Sequence, residues 1–251
     1  MATRGSRLAL TQSRWFAERL KEAHPGLEVE VRVLKTQGDK ITDVPLAQVG
    51  GSKGFFVKEL EDALLSGEAD LAVHSMKDMP AELPKGLVIA ATPRREDPRD
   101  AWIAAGGKSL KDLPAGARVG TSSLRRKVQV RALRPDLALD DLRGNIDTRL
   151  RKAEGGEFDA IILAMAGLRR MGWEARATEV LDPESFIPAI GQGALAIETR
   201  EGSEAADLVR ALEDRDARDA TDAERGLLRR LEGGCQLPLA AHATVDGERL
   251  R

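Results

Sequence analysis

Apolar residues recur along this chain at two alternating periods, one helical and one extended. Residues 6–23 place Leu8, Ala9, Trp15, Phe16 and Leu20 on one side of a helix, and His24, Pro25 and Gly26 end it. Val29, Val31 and Val33 then alternate with charged residues, as in a strand with one wet face. With a very short strand at the N-terminus, these elements open a βαβ unit. A helix is predicted over 57–65, stopped by Gly67, and apolar strands over 70–73 and 87–91. Beyond residue 100 the alternation restarts, with strands over 102–105, 118–120, 137–142 and 160–163 and helices over 124–133, 146–153 and 164–171. Residues 194–199 form one more apolar strand, returning to the first unit.

Three stretches break both periods. Residues 37–54 hold glycines at 38, 50, 51 and 54 and a proline at 45, so they form a long loop, either a lid over a site or a plain surface loop. Residues 92–100, TPRREDPRD, carry two prolines among polar residues and mark a hinge or a domain boundary. After helices over 205–213 and 217–231, the run Glu232-Gly233-Gly234-Cys235-Gln236 interrupts the pattern. Residues 239–245 then alternate toward Asp246-Gly247, a hairpin signal. A hairpin alone is marginal, so this last domain is expected to be incomplete or very small. The expected division is a discontinuous first α/β lobe at 1–93 with 194–212, a second α/β lobe at 98–189 and a C-terminal domain at 216–251.

Composition narrows the class. A chain of 251 residues has room for one to three domains. Its single cysteine, Cys235, allows no intrachain disulfide and suits a reducing, cytoplasmic setting. No run of 18 apolar residues and no apolar signal core is present, so neither membrane nor export is expected. The net charge of -2 and an aromatic content of 3 % with no tyrosine argue against nucleic acid as a partner. Histidines at 24, 74 and 242 and one cysteine give no zinc-ligand spacing, so no metal is expected. Of the 39 Lys and Arg, 28 are Arg, whose planar fork grips carboxylate or phosphate at two points.

Candidate chemistry gathers at strand ends. In residues 70–80, DLAVHSMKDMP, a buried strand runs into His74, Ser75, Lys77 and Asp78, where the carboxyl edge of an α/β sheet binds ligands. Asp78 either forms the turn before Met79-Pro80 or, among cations, stays ionised to hold positive charge or move a proton. His74 reads as a packed core residue more readily than as a ligand. Arginines recur where helices begin: Arg4 before Ser6, Arg125 and Arg126 after Thr121-Ser122-Ser123, Arg143 before Asn145, and Arg149 one turn on. The helix dipole disfavours cations there, so either bound anions compensate them or they are ion-paired elsewhere. Cys235, behind two glycines, is either a small buried hydrophobe or an exposed thiol able to form a covalent bond.

Seven stretches, in order and spanning nearly the whole chain, carry a resemblance: TRGS (3–6), GGSKGFFVKELEDAL (50–64), AVHSMKDMP (72–80), GTSSLRR (120–126), LRGNIDTRL (142–150), PAIGQGALAIE (188–198) and EGGCQLPL (232–239). Together they resemble the porphobilinogen deaminase, or hydroxymethylbilane synthase, family. The resemblance implies an α/β fold of two type II periplasmic-binding-protein-like lobes, with the cleft between them, plus a small α+β C-terminal domain. It implies a dipyrromethane cofactor joined to Cys235 by a thioether, and a cytoplasmic, monomeric transferase of tetrapyrrole and heme biosynthesis. That enzyme joins four porphobilinogen molecules head to tail with loss of ammonia and releases linear hydroxymethylbilane. Each pyrrole carries acetate and propionate.

Transferred onto this sequence, the resemblance makes Asp78 the catalytic residue. Cys235, Lys77, Ser123, Arg125, Arg126, Thr121 and Ser75 hold the cofactor, and Arg4, Ser6, Arg143, Arg149 and Gln192 the substrate. Lys53 and Lys58 fall in or beside the long loop. Members of the family are expected to begin with a few more residues and to continue beyond Arg251, which leaves the third domain incomplete here. The rival reading is a two-lobe anion-binding protein without chemistry, which has no need of Cys235.

Overall fold

The computed structural model describes residues 1–36, 57–231 and 239–251. The long loop expected at 37–54, Lys53 and Cys235 lie outside them.

Two five-stranded mixed sheets organise the chain. The first contains β1 (Ala2–Arg4), β2 (Arg32–Leu34), β3 (Leu71–Ser75) and β4 (Leu87–Ala91), with β10 (Leu195–Arg200) added late from the sequence. Its order is β2-β1-β3-β10-β4, the first three parallel and β10 antiparallel to both its neighbours. The second contains β5 (Asp100–Ala104), β6 (Arg118–Gly120), β7 (Ala138–Asp140), β8 (Ala160–Ala164) and β9 (Glu179–Val180) in the order β7-β6-β8-β5-β9. Here β7, β6 and β8 are parallel and β5 runs against them. The sheets therefore share one plan, three parallel strands followed by an antiparallel strand. In each, that antiparallel strand arrives directly after a crossing from the other sheet.

Helices cover both faces of each sheet because strand residues alternate sides. In the first, Leu71, Val73, Leu195 and Ile197 pack on Phe16, Ala17 and Leu20 of α1 (Arg7–Ala23). Ala2 and Ala72 on the opposite face meet Leu60, Ala63 and Leu64 of α2 (Lys58–Leu65). In the second, Trp102, Val119 and Ile162 pack with Val130 of α3 (Leu124–Leu133). Across that sheet, Ala101, Ile161 and Leu163 meet Leu150 of α4 (Ile146–Glu154) and Leu168 of α5 (Met165–Arg170). Full burial of each large side chain contributes about 1.5–3 kcal/mol.

Two strand expectations change. The β2 pairing starts only at Arg32, although Val29 and Val31 still pack against the core, and Val33 is exposed. The strand expected over 137–142 pairs only at Ala138–Asp140. Trp15, expected on the apolar side of α1, is 44 % exposed. The two residues of β9 were too few to give a period.

Two crossings join the sheets, residues 92–99 and 181–194, and they are bonded to each other from Glu96 N to Gly193 O at 3.2 Å. Both approach so closely that glycine is required. A Cβ on Gly193 (φ +91°) would lie 2.3 Å from Glu96 O, and one on Gly191 (φ +69°) 2.5 Å from Met76 Cγ.

After β10 come α6 (Glu204–Val209) and α7 (Arg215–Arg230), the latter capped by Asp214. The hairpin expected at Asp246-Gly247 is present as β11 (Val245–Asp246) and β12 (Arg249–Leu250).

Candidate active site

Strands β1, β6 and β7 end at loops that lead into helix N-termini. After β1, Ser6 caps α1 by accepting from Ala9 N at 3.2 Å. After β6, Ser123 Oγ accepts from Arg126 N at 3.4 Å and Thr121 Oγ1 from Ser123 N at 3.2 Å, so both hydroxyls shape the start of α3. Ser122 Oγ donates to Leu142 O at 3.0 Å, tying this loop to the one after β7 that carries Arg143. After β3, the chain makes a single 3-10 turn, Met76–Asp78, whose Met76 N is fixed by Ala194 O at 3.0 Å.

These loops bring several of the sequence-predicted residues together. A cavity of about 70 Å³ is lined by Arg4, Ser6, Leu8, Ala9, Gln12, Val57, Val73, His74, Ser75 and Asp78. Asp78 is the one carboxylate among them. Arg149, from α4 of the other sheet, lies in the electrostatic reach of Asp78, Arg126 and Arg143.

Burial disfavours the charged form of several cations here. Burial pulls Lys77 down to about 8, with Arg126 and Arg125 pushing the same way and Asp78 and Asp100 opposing. Burial likewise takes Arg149 down to about 10, aided by Arg126 and Arg143 and opposed by Asp78. Arg170 also falls to about 10, mainly by burial. A carboxylate brought beside such a cation offsets the cost of burial by direct Coulomb attraction and favours its charged form.

Other expected ligand residues are committed to the protein. Asp100, wholly buried, accepts from Arg126 Nε at 3.0 Å and Nη2 at 2.6 Å and pairs with Arg125 Nη2 at 2.8 Å. Arg126 Nη1 also donates to Ile162 O at 2.9 Å, and Arg125 Nη1 to Ile187 O at 2.7 Å. Gln192 is buried and bridges the lobes, donating to Pro98 O at 2.7 Å and Asp100 Oδ1 at 3.0 Å while its Oε1 faces Lys77 Nζ at 3.5 Å. Arg125 and Arg126 act on Lys77 through their charge, and Gln192 faces it directly.

Two cleft residues escaped the sequence reading. Gln12 Nε2 lies 3.4 Å from Ser75 Oγ, and Gln12 Oε1 accepts from Arg170 Nη1 at 3.0 Å. Arg170 Nη2 donates to Gly193 O at 2.6 Å, so this pair joins α1, α5 and a crossing at the cleft's edge. Gln12 had a signal, a polar residue on the buried side of α1 between Ala9 and Phe16. Arg170 had none, being one of two adjacent arginines at a helix end. Lys58 is exposed and bonded to Asp62 Oδ2 at 2.6 Å.

The dipyrromethane cofactor domain of porphobilinogen deaminase matches residues 1–207, and the C-terminal domain of the same enzyme matches residues 219–251. The chain belongs to the porphobilinogen deaminase family. Family members include porphobilinogen deaminase of Syntrophobacter fumaroxidans, 60 % identical over 98 % of this chain and 80 % of that one. That of Nitratidesulfovibrio vulgaris is 55 % identical over 99 % and 78 %. In fold, the chain is like a methionine-binding protein, with a TM-score of 0.53 at 15 % identity over 90 % of this chain and 94 % of that one. It is also like immunogenic lipoprotein A of Vibrio vulnificus, with a TM-score of 0.51 at 14 % identity over 89 % and 98 %. The fold is thus that of type II periplasmic binding proteins, with a small C-terminal domain. Among the described residues, no helix is long and apolar enough to cross a membrane.

The residues present fit the family's cofactor. A dipyrromethane carries four carboxylates, and Arg4, Lys77, Arg143 and Arg149 are cationic residues in or within electrostatic reach of the cleft.

Proposed function

We propose that Asp78 is the catalytic residue of a transferase that joins four porphobilinogen molecules head to tail, releases ammonia and yields linear hydroxymethylbilane. The observation that carries this reading is the place of Asp78, one carboxylate in a cavity with Arg4, Ser6 and Ser75, flanked by cations that burial disfavours.

When bound, the dipyrromethane would supply a primer whose terminal pyrrole carbon takes the first unit, each later unit joining the one before it. Cys235 holds it through a thioether, and Lys77, Arg149, Arg143 and Arg4 hold its side-chain carboxylates and those of porphobilinogen. Thr121 and Ser123 shape the helix start beside them. Arg125, Arg126 and Gln192 act from behind, through Asp100 and Lys77.

The aminomethyl nitrogen must be protonated before it can leave as neutral ammonia, and its departure places positive charge on the pyrrole nitrogen. A carboxylate beside that nitrogen stabilises the charge by direct Coulomb attraction, which is stronger where water is excluded. Asp78 also accepts the proton released when the new carbon–carbon bond forms. The surrounding arginines bind the substrate's carboxylates without competing for that proton, because they stay charged.

The chain works in the cytoplasm as a monomer. A single cysteine, with no second thiol for an intrachain disulfide, supports the reducing compartment.

Intact mass of the purified protein tests the anchor, with Cys235→Ala as control. Wild type should exceed its sequence mass by two pyrrole units and the variant should match its own. Equal excess in both would remove the thioether. Asp78→Ala should keep the added mass and lose about 10²–10⁴-fold in turnover. Normal turnover in that variant would remove Asp78 from the chemistry.

A further inference from the structure

Behind the Asp78 loop lies a buried group of titratable side chains that the proposed chemistry does not use. His74 on β3, Glu198 on β10 and Glu61 on α2 are 5 %, 0 % and 7 % exposed. His74 Nε2 and Glu198 Oε2 are 3.0 Å apart. The contact is a diagonal one, since His74 faces Ala196 in the antiparallel ladder and Glu198 lies two residues further along. Helix α2 packs over both strands and brings Glu61 down onto them.

Few compensating charges reach this group. On α2, Lys58 is exposed and bonded to Asp62 at 2.6 Å. On β10, Arg200 Nη1 turns away to Leu64 O and Ala69 O at 2.5 and 2.7 Å, while β4 contributes no ionisable side chain. Burial and the neighbouring Glu198 raise Glu61 to about 7, Asp62 adding to the effect and Lys58 opposing it. Among the described residues, Glu61 Oε1, His74 Nε2 and both carboxylate oxygens of Glu198 have no hydrogen-bond partner, so the His74–Glu198 contact is one of proximity rather than a formed hydrogen bond. An apolar replacement of such a group is commonly neutral or stabilising, so its presence is poorly explained by stability.

Its position offers an explanation. His74 is followed directly by Ser75 and the turn that carries Lys77 and Asp78. Glu198 stands on the strand whose approach carries Gln192, which faces Lys77. The cross-strand contact lies one residue before the end of β3 and two before the turn begins.

We propose that Glu198 is a positioning residue for the reaction: its carboxylate, set between His74 and Glu61, fixes the end of β3 and so the place of Asp78 in the cleft. The inference rests on the function proposed above, and its test carries one readout independent of turnover.

Glu198→Gln keeps the shape and removes the charge. Expected are retention of the cofactor mass, faster amide exchange in residues 75–79, and a fall in kcat of about tenfold or more with KM for porphobilinogen within about twofold. His74→Asn should act alike, and the double variant should be no worse than Glu198→Gln alone, as for residues acting as one unit. A lowered melting temperature with kcat unchanged would confine the pair to stability and overturn the proposal. Unchanged exchange in residues 75–79 would overturn it as well. Should Glu198→Gln fail to fold, His74→Gln supplies the same two readouts. A wild-type protein that makes no hydroxymethylbilane would sink the proposed reaction, while exchange in residues 75–79 would still decide whether Glu198 holds the turn.

Discussion

Asp100 Oδ1 accepts two hydrogen bonds from Arg126, from Nε at 3.0 Å and Nη2 at 2.6 Å, at the point where the first crossing enters the second sheet. Arg125 pairs with the other oxygen at 2.8 Å, so one buried carboxylate balances two buried guanidinium groups. Asp100 is held below the usual carboxylate range: burial, its largest influence, pushes upward, and the two arginines with Gln192 outweigh it.

Asp100→Asn therefore leaves two guanidinium groups without their counter-charge in the interior. The expected cost is about 3–5 kcal/mol, as when one partner of a buried ion pair is removed. Urea denaturation measures it. A loss below about 1 kcal/mol would mean that solvent, not Asp100, balances the arginines.

Lys77 gives a pH dependence with a definite sign. Its ammonium, lowered to about 8, is charged below that pH and neutral above it. A bound carboxylate favours the charged form, so binding takes up a proton near and above pH 8. Porphobilinogen binding should weaken by up to about tenfold per pH unit above 8, and calorimetry in two buffers of different ionisation enthalpy should report the uptake. Lys77→Arg, still charged, should lose the alkaline weakening. Affinity that is flat from pH 7 to about 9.5 would assign the carboxylate to another cation.

How much of this was legible follows from which signals are local. Each helix start is written in adjacent residues, Ser6 before α1 and Ser123 before α3, so the strand-end loops and their arginines could be read directly. What Arg125 and Arg126 do there could not, because Asp100 lies 25 and 26 residues away in a stretch that reads as a broken linker. The same holds for Gln192, whose Asp100 and Pro98 partners are brought to it by the second crossing. His74 was placed in the core by its apolar strand, but its partner Glu198 sits 124 residues on, in a strand whose alternation alone gives no reason for a buried acid. Local chemistry was visible, and pairings made by topology were not.

Glu61 links the interior to stability. Its carboxyl is raised from 4.5 to about 7 in the folded chain. Between those values the unfolded chain releases a proton that the folded one keeps, so stability falls as pH rises from about 4.5 to 7 and then levels off. Glu61→Gln should flatten that slope and be the more stable form above pH 7, by an amount on the order of 1 kcal/mol. Thermal melts across pH 4–8 measure it, and a parallel slope in both proteins would assign the effect elsewhere.

Glu224 on α7 draws three parts of the chain to one carboxylate. It accepts from Arg95 Nη1 and Nη2 at 2.8 and 3.1 Å in the first crossing, from Gly191 N at 2.6 Å in the second, and from Ala243 N at 2.8 Å in the C-terminal domain. The next residue, Arg225, donates to Pro80 O at 2.9 Å, just past the Asp78 turn. The helix that leads toward Cys235 is thus fastened both to the crossings and to the exit of the Asp78 turn. Glu224→Gln removes the charge that Arg95 faces and one acceptor oxygen, at a cost of about 1–3 kcal/mol for each buried donor left unpaired. Hydrogen exchange should then quicken together in residues 93–97, in residues 188–193 and around Ala243, because all three share the acceptor. Faster exchange in only one of these segments would show that each is held by its own contacts, and that the third domain moves without reference to the crossings.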